Sequence, residues 1–151
     1  MSIETELKST RPMPPRQRAL LNILFTASWL NCQLQRQLRD YSLSLPQYNI
    51  LRILNGSFPT GLSVLDIKGR MIDRSSNVSR LVEKLRESGY VEREAATEDR
   101  RMVVVTISEK GKVLLDEILG NGFSDPDKMP GNRLNDAEAN ELAHLLDKFR
   151  G

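Results

Sequence analysis

The sequence predicts a mostly α-helical fold that contains one small β-hairpin. Stripes of apolar residues recur in three- and four-residue steps near both ends of the 151-residue chain. Short segments with helix-capping residues at their starts occupy the middle of the chain. Only residues 90–107 alternate between apolar and polar positions around a polar turn. The predicted order is therefore four helices, a hairpin and two further helices.

The first predicted helix is unusually long. Residues 1–15 are polar and proline-rich, and we expect them to form a flexible tail. Apolar residues such as Leu20, Leu24 and Leu34 then recur at helical spacing as far as Tyr41. A helix over residues 16–41 would be about 39 Å long. Such a helix exposes more apolar surface than a small domain can cover, so an oligomer interface is expected here.

Three shorter helices are predicted before the hairpin. Pro46 suits the first turn of one helix, and Ser63 is placed to cap the next, which runs to Met71. Asp73 is predicted to cap the fourth helix, and Gly89 is predicted to end it.

The remaining segments complete this order. Tyr90–Glu94 and Arg101–Ile107 are predicted strands, and Ser108 is placed to cap a helix that runs to about residue 119. Residues 120–135 contain three glycines and two prolines, which predicts a flexible linker. A last helix over 136–149 presents leucines and Phe149 as a second apolar face without a predicted cover.

Bulk composition bounds the class of protein without naming a partner. The chain is 39% hydrophobic and 28% charged, and its net charge is +2. That is enough apolar material for a core, but too little positive charge to indicate nucleic acid by itself. The single Cys32 excludes an intrachain disulfide. With no signal-like start and no long apolar run, we expect a cytoplasmic protein without a membrane partner.

The fourth helix has the composition of a helix that reads DNA. Val78, Val82 and their neighbours form an apolar face, and Ser76 and Arg80 lie on the opposite side. Arginine can bond bidentately to guanine, asparagine can bond to adenine, and serine can bond to phosphate. A solvated surface helix would show the same pattern, and Glu83 on this face would repel phosphate. The helix alone therefore does not decide between these interpretations.

The hairpin turn adds a second indication. Arg100 and Arg101 lie at the tip of an exposed ribbon, where an arginine can enter the narrow minor groove. Asp99 can orient Arg101 through an ion pair, although an ordinary hairpin would use the same pair.

Taken together, three stretches resemble the MarR family of bacterial winged-helix regulators. They are LPQYNILRIL, SVLDIKGRMIDRSSNVSRLVEKLRESGYVER and EDRRMVVVTISEKG. Asp99-x-Arg101 matches that family's wing signature, and residues 107–111 and 134–138 match two further family positions. The resemblance covers about residues 20–150. It implies a winged helix-turn-helix lobe over 46–107, with dimerisation helices over 16–45 and 108–151.

The resemblance also implies a function. It predicts a homodimeric transcriptional regulator, a repressor released by a small ligand, that binds double-stranded DNA. The operator would be an inverted repeat with half-sites about 34 Å apart. The residues that the resemblance places on DNA are Ser75, Ser76, Asn77 and Arg80 in the major groove and Arg101, with Arg100 beside it, on the wing.

Two departures from the family pattern affect these expectations. Gly69 lies inside the predicted third helix and should weaken it by about 1 kcal/mol. The linker over 120–135 interrupts a connection that is usually almost continuously helical, so the packing of the dimer is left open.

Other candidate residues have competing interpretations. Phe25, Trp29 and Tyr48 are candidates for a pocket that binds a small aromatic or anionic effector, although such residues are more often part of the core. Cys32 is expected to be structural rather than redox-active, because Arg36 is the one nearby residue that would support a thiolate. A metal site is not expected from the single His144 and single cysteine.

The sequence contains no motif that indicates catalysis or a cofactor, so we expect neither. The alternative function is a winged-helix module that contacts proteins and does not bind DNA. Segment 70–101 keeps this alternative open, because its eight basic and seven acidic residues give a net charge of only +1.

Overall fold

The computed structural model describes residues 2–95, 103–123 and 133–151. The elements in these ranges are α1 (Ile3–Glu6), α2 (Pro15–Gln37), a one-turn 3₁₀ helix (Arg39–Tyr41), α3 (Leu45–Asn55), α4 (Val64–Arg70), α5 (Val78–Glu87), β1 (Val91–Ala95), β2 (Val103–Ile107), α6 (Glu109–Gly120) and α7 (Asp136–Arg150). This order confirms the predicted mostly helical fold with one hairpin. The wing-tip residues Asp99, Arg100 and Arg101, and most of the predicted linker, lie outside the described residues.

A single apolar core lies at the centre of the winged-helix lobe. α3 crosses this core, where Ile50 and Leu51 are completely buried. α5, β2 and α6 pack around α3 and contribute the buried side chains of Val82, Leu85, Val105, Leu115 and Ile118. The core therefore holds one face of α5 against the lobe and turns its other face outward.

The helix starts follow local capping chemistry. Ser44 and Gln47 form a reciprocal capping box at α3, and Asn135 and Glu138 form another at α7. The predicted caps Ser63 and Ser108 accept hydrogen bonds from the backbone at the starts of α4 and α6. Such a cap typically stabilises a helix by about 1 kcal/mol, so these boundaries could be predicted from neighbouring residues alone.

The start of α5 differs from the prediction. Asn77, rather than Asp73, caps this helix, and its side-chain oxygen accepts a hydrogen bond from Arg80 N at 3.1 Å. The Asp73 carboxylate instead accepts hydrogen bonds from Ser75 and Ser76 in the preceding turn. The helix therefore begins at residue 78, several positions later than predicted.

The N-terminal segment is also more ordered than predicted. A flexible tail was expected over residues 1–15, but α1 forms a short helix within it. Ile3 is buried, and Glu4 pairs with Arg18 of α2 at 2.9 Å. Contact with α2 therefore orders a segment whose own sequence is too short to form a stable helix.

A third backbone segment, from the loop before α4, pairs with the hairpin. β1 and β2 pair in antiparallel register from Val91 opposite Ile107 to Ala95 opposite Val103. Leu62, in the loop before α4, forms a bridge to Val105 with N–O distances of 3.0 and 2.8 Å. This bridge attaches the base of the wing to the helix-turn-helix.

A serine and a glycine join the wing to α6. Ser108 Oγ donates a hydrogen bond to Gly89 O at 2.7 Å and accepts one from Gly111 N at 3.0 Å. Ser108 N also donates to Tyr90 O at 3.0 Å. A Cβ atom at Gly111 would lie only 2.2 Å from Tyr90 O. Residue 111 therefore has to lack a side chain for α6 to begin so close to the wing.

The apolar faces at the two ends of the chain are exposed. None of the 23 residues of α2, all of them described, is buried, and Leu24 is 58% exposed. On α7, Leu145 and Phe149 are 52% and 56% exposed. No helix within the described ranges is long and apolar enough to cross a membrane.

Candidate nucleic-acid interface

The candidate interface is centred on α5. Val78, Val82 and Leu85 anchor this helix in the core, whereas Arg80 and Lys84 lie on the other side. This arrangement follows from the helical period, because residues 80 and 84 are one turn apart and point away from the buried positions. The charged side chains of Arg80 and Lys84 therefore point away from the core, on a helix whose other face is buried in it.

The turn between α4 and α5 is held against α3. Ile67 of α4 and Met71, which follows it, are buried in the core. Ile72 N donates a hydrogen bond to Asn49 Oδ1 of α3 at 3.0 Å. The two helices consequently form a helix-turn-helix whose second helix has a defined place in the lobe.

Asp73 organises the two serines before α5. Its carboxylate accepts hydrogen bonds from Ser75 N at 2.9 Å, Ser75 Oγ at 2.6 Å and Ser76 Oγ at 3.0 Å. These hydrogen bonds from Ser75 and Ser76 hold the pKa of Asp73 below its usual value, because they stabilise the charged carboxylate. The serine oxygens keep lone pairs that can accept further hydrogen bonds.

Three of the four predicted major-groove residues line one shallow depression beside α5. Ser76, Asn77 and Arg80 line this cavity of about 290 Å³ together with Pro46, Leu81 and Lys84. Ser75 lies in the adjoining turn. Lys84 is not among the predicted DNA-contacting residues, and its one-turn spacing from Arg80 is the sequence signal for its place in this cluster.

The negatively charged carboxylate of Glu83 on α5 is paired with arginine side chains. Its carboxylate accepts hydrogen bonds from Arg86 at 2.6 and 3.1 Å and lies 3.7 Å from Arg93 of β1. The hydrogen bond from Arg86, with the charges of Arg86 and Arg93, holds the pKa of Glu83 below its usual value. The repulsion of phosphate that the sequence predicts for Glu83 is thus offset by two arginines. The spacing of Glu83 and Arg86 is a sequence signal for half of this cluster.

Comparison with known proteins supports the resemblance to the MarR family. A sequence model described as the MarR family matches residues 43–103, which include α3, α4, α5 and β1. This segment of the chain is therefore similar to MarR-family regulators.

Two curated relatives match about half of the chain. It is 40% identical over 70 residues to YfiV of Bacillus subtilis, an uncharacterised transcriptional regulator. It is 30% identical over 78 residues to IacR of Pseudomonas putida, a transcriptional repressor. These matches cover 46% and 52% of this chain, but they span only 42% and 46% of the two relatives.

Solved MarR-like structures share the fold over most of the chain. BpsR of Bordetella bronchiseptica, whose DNA binding is regulated by 6-hydroxynicotinic acid, has a TM-score of 0.74 at 22% identity. That similarity covers 93% of this chain and 98% of BpsR. A MarR mutant from E. coli in complex with operator DNA has a TM-score of 0.71 at 20% identity, with 84% and 89% coverage. These similarities establish the winged-helix fold.

The candidate effector residues do not share one environment. Phe25 and Trp29 lie on α2 and are 36% and 38% exposed. Tyr48 is buried in α3, where its ring centroid lies 4.4 Å from that of Phe123. Tyr48 thus has a place in the core, and its role in a pocket stays a prediction.

The other singled-out residues are exposed. Cys32 lies on the surface of α2, and His144 lies on the surface of α7. Among the described residues, no three histidine, cysteine or carboxylate side chains are grouped as a metal site would require.

Proposed function

We propose that the protein is a homodimeric transcriptional repressor that binds an inverted-repeat operator and is released by a small ligand. One observation carries the DNA-binding part of this proposal. Arg80 and Lys84 of α5, together with Ser76 and Asn77 just before it, line one open depression, while Val78, Val82 and Leu85 on the opposite face of α5 are buried in the core. A rigid helix with convergent arginine, asparagine and serine side chains has the chemistry needed to contact base edges and phosphates.

The homodimer is supported by the exposed apolar faces of α2 and α7. Leu24, Leu145 and Phe149 keep more than half of their surface exposed in the single chain. Covering such faces with a second copy removes apolar area from water, which stabilises association by about 25 cal/mol per Å². A twofold dimer would present two copies of α5 to half-sites about 34 Å apart.

Release by a small ligand is supported by the relatives and by the exposure of two aromatic residues. The DNA binding of BpsR is regulated by an aromatic carboxylic acid. Phe25 and Trp29 are partly exposed and lie one helical turn apart on α2. Thermal unfolding with 6-hydroxynicotinic acid and related aromatic acids tests this part. Stabilisation by one acid, together with loss of DNA binding in its presence, would support it.

The experiment that tests the DNA-binding proposal is selection from a random duplex pool with the full chain. We expect an inverted repeat to be enriched. Arg80→Ala should then weaken binding by about 1–3 kcal/mol and relax the preference at one base pair of each half-site. Arg101→Ala should weaken binding to all sequences and reduce its dependence on salt. Arg39→Ala, which removes an exposed arginine on the 3₁₀ helix, is the matched control and should leave affinity unchanged.

The selection also separates the two candidate functions. A protein-interaction module would enrich no motif. Its affinity for DNA would be weak and salt-dependent, and Arg80→Ala and Arg101→Ala would then cause no sequence-dependent change in that affinity. That result would overturn the proposal.

A further inference from the structure

The winged-helix lobe is joined to α2 at a narrow corner. α2 contacts the core through its C-terminal end, where Leu34 packs against it, and Leu38, the next residue after α2, is completely buried. The preceding residues of α2 are exposed or half-buried. The chain then turns through the 3₁₀ helix and Ser42, whose φ of 53° is left-handed, before α3 begins.

Gln35 spans this corner with both ends of its side-chain amide. Its Nε2 donates a hydrogen bond to Leu43 O at 3.0 Å, and its Oε1 accepts one from Leu45 N at 3.0 Å. Only one orientation of the amide satisfies both bonds, because Nε2 can only donate and Oε1 can only accept. A single half-buried side chain of α2 therefore pairs with two backbone groups at the start of α3.

The bond to Leu45 has a further consequence for α3. Leu45 is the first residue of this helix, and the N–H groups of a first helical turn have no partner within the helix. Gln35 provides that partner, while the Ser44–Gln47 capping box serves the neighbouring N–H groups. α2 is thus bound directly to the first turn of a core helix and does not merely adjoin it.

The angle at this corner has a large effect on distant parts of α2. Its 23 residues span about 34 Å at about 1.5 Å per residue. A change of about 10° at the corner would therefore displace the far end by about 6 Å, which exceeds the rise of about 3.4 Å per base pair. A small change in the angle at the corner therefore moves the far end of α2 by more than the rise of one base pair.

We propose that Gln35 is a positioning residue that sets the angle between α2 and the lobe, and thereby the operator spacing that the dimer accepts. This inference rests on the proposed function, because it requires a dimer held through α2 and two DNA-reading lobes. Gln35 does not itself contact DNA in this proposal. Its effect is on the distance and rotation between the two copies of α5.

The test measures spacing preference rather than affinity alone. The half-site enriched by the wild-type chain is placed as an inverted repeat with spacers shortened or lengthened by one and two base pairs. Each added base pair rotates one half-site by roughly 35° relative to the other. Binding of the full chain to each duplex, and to a single half-site, gives the discrimination between spacings.

Gln35→Met is the informative variant, because it keeps the length of the side chain and removes both hydrogen bonds. Gln37→Met, the same change at an exposed position two residues later, is the matched control. We expect Gln35→Met to lower the discrimination between the preferred and altered spacers by about tenfold, since two hydrogen bonds are lost. Affinity for a single half-site should stay unchanged, and Gln37→Met should retain the wild-type profile.

Folding and dimerisation are monitored by thermal unfolding and sedimentation so that a damaged variant is recognised. If Gln35→Met unfolds, Gln35→Glu, which can still accept from Leu45 N but cannot donate to Leu43 O, is used in its place. A folded, dimeric variant with the wild-type spacing profile would overturn the inference. Failure of the wild-type chain to enrich any inverted repeat would instead overturn the proposed function.

Discussion

The contact between Gly111 and the wing leads to the sharpest stability prediction. An added Cβ at residue 111 would lie 2.2 Å from Tyr90 O, 3.1 Å from Tyr90 C and 2.9 Å from a side-chain carbon of Ile107. Two of these three atoms belong to the backbone of the chain entering β1 and cannot rotate away. Gly111→Ala therefore requires α6 and the base of the wing to separate by about 1 Å, since ordinary contacts are about 3.5 Å or longer.

This separation would strain the hydrogen bond from Ser108 N to Tyr90 O, which measures 3.0 Å. Overpacking costs about 1–3 kcal/mol, and loss of the hydrogen bond adds about 1 kcal/mol. The better helix propensity of alanine returns at most about 1 kcal/mol. The expected net loss is about 1–3 kcal/mol, and a mid-range loss of about 2 kcal/mol lowers the melting temperature of a chain of this size by about 6 °C.

Gly69→Ala is the matched control. Gly69 is an exposed residue of α4, and, apart from its chain neighbours and the backbone of its own helix, no atom of the described residues lies within 4 Å of the place that a Cβ would take there. Alanine should therefore stabilise the protein by up to about 1 kcal/mol through helix propensity alone. Thermal and urea unfolding at one fixed protein concentration would measure both variants, because the stability of a dimer depends on concentration. If Gly111→Ala unfolds at or above the wild-type temperature, the close approach of α6 to Tyr90 is wrong.

Two further predictions concern assembly and pH. Leu145→Glu should convert the proposed dimer into monomers in sedimentation experiments and abolish operator binding, because it buries a charge in the proposed interface. Asn140→Glu, on the opposite side of α7, is the control and should change neither property. Hydrogen bonds from Ser75 and Ser76 lower the pKa of Asp73 in the folded state. The ionised Asp73 therefore stabilises the folded protein above the unfolded-state pKa of about 4, and this contribution is lost as the pH falls through the lower folded-state value. Urea unfolding at pH 7 and pH 3 should therefore show a smaller loss of stability on acidification for Asp73→Asn than for the wild type, and equal losses would contradict this assignment.

Much of the architecture could be predicted because the signals are local. The caps Ser44, Ser63, Ser108 and Asn135 act on backbone groups two or three residues away, and Gly89 ends α5 where the sequence indicates. The hairpin and the uncovered faces of α2 and α7 follow from periodicities of two and about four residues. The resemblance to the MarR family also follows from an ordered set of such local patterns.

The start of α5 shows where local signals become ambiguous. Asp73 and Asn77 are both good capping residues, so propensity does not choose between them. The choice depends on the turn, where Asp73 binds two serines, and on the core, which buries Val78 as the first residue of the helix. The residues predicted to contact the major groove lie in or just before the first turn of α5, but Asn77 also has a structural role as its cap.

Local patterns along the chain were sufficient to give the order of the helices, the position of the hairpin, the resemblance to the MarR family and the residues of α5 that face outward. These features depend on neighbours within one or two turns, whose geometry is set by the backbone. Only the tertiary structure shows that Ile3 is buried beside α2 and that Leu62 pairs with Val105. It also shows that Arg93 lies beside Glu83 and that Gln35 forms hydrogen bonds at the start of α3. Each of these contacts joins segments that belong to different elements of the fold. Periodicity and capping carry no information about such distances, which are set when the core closes.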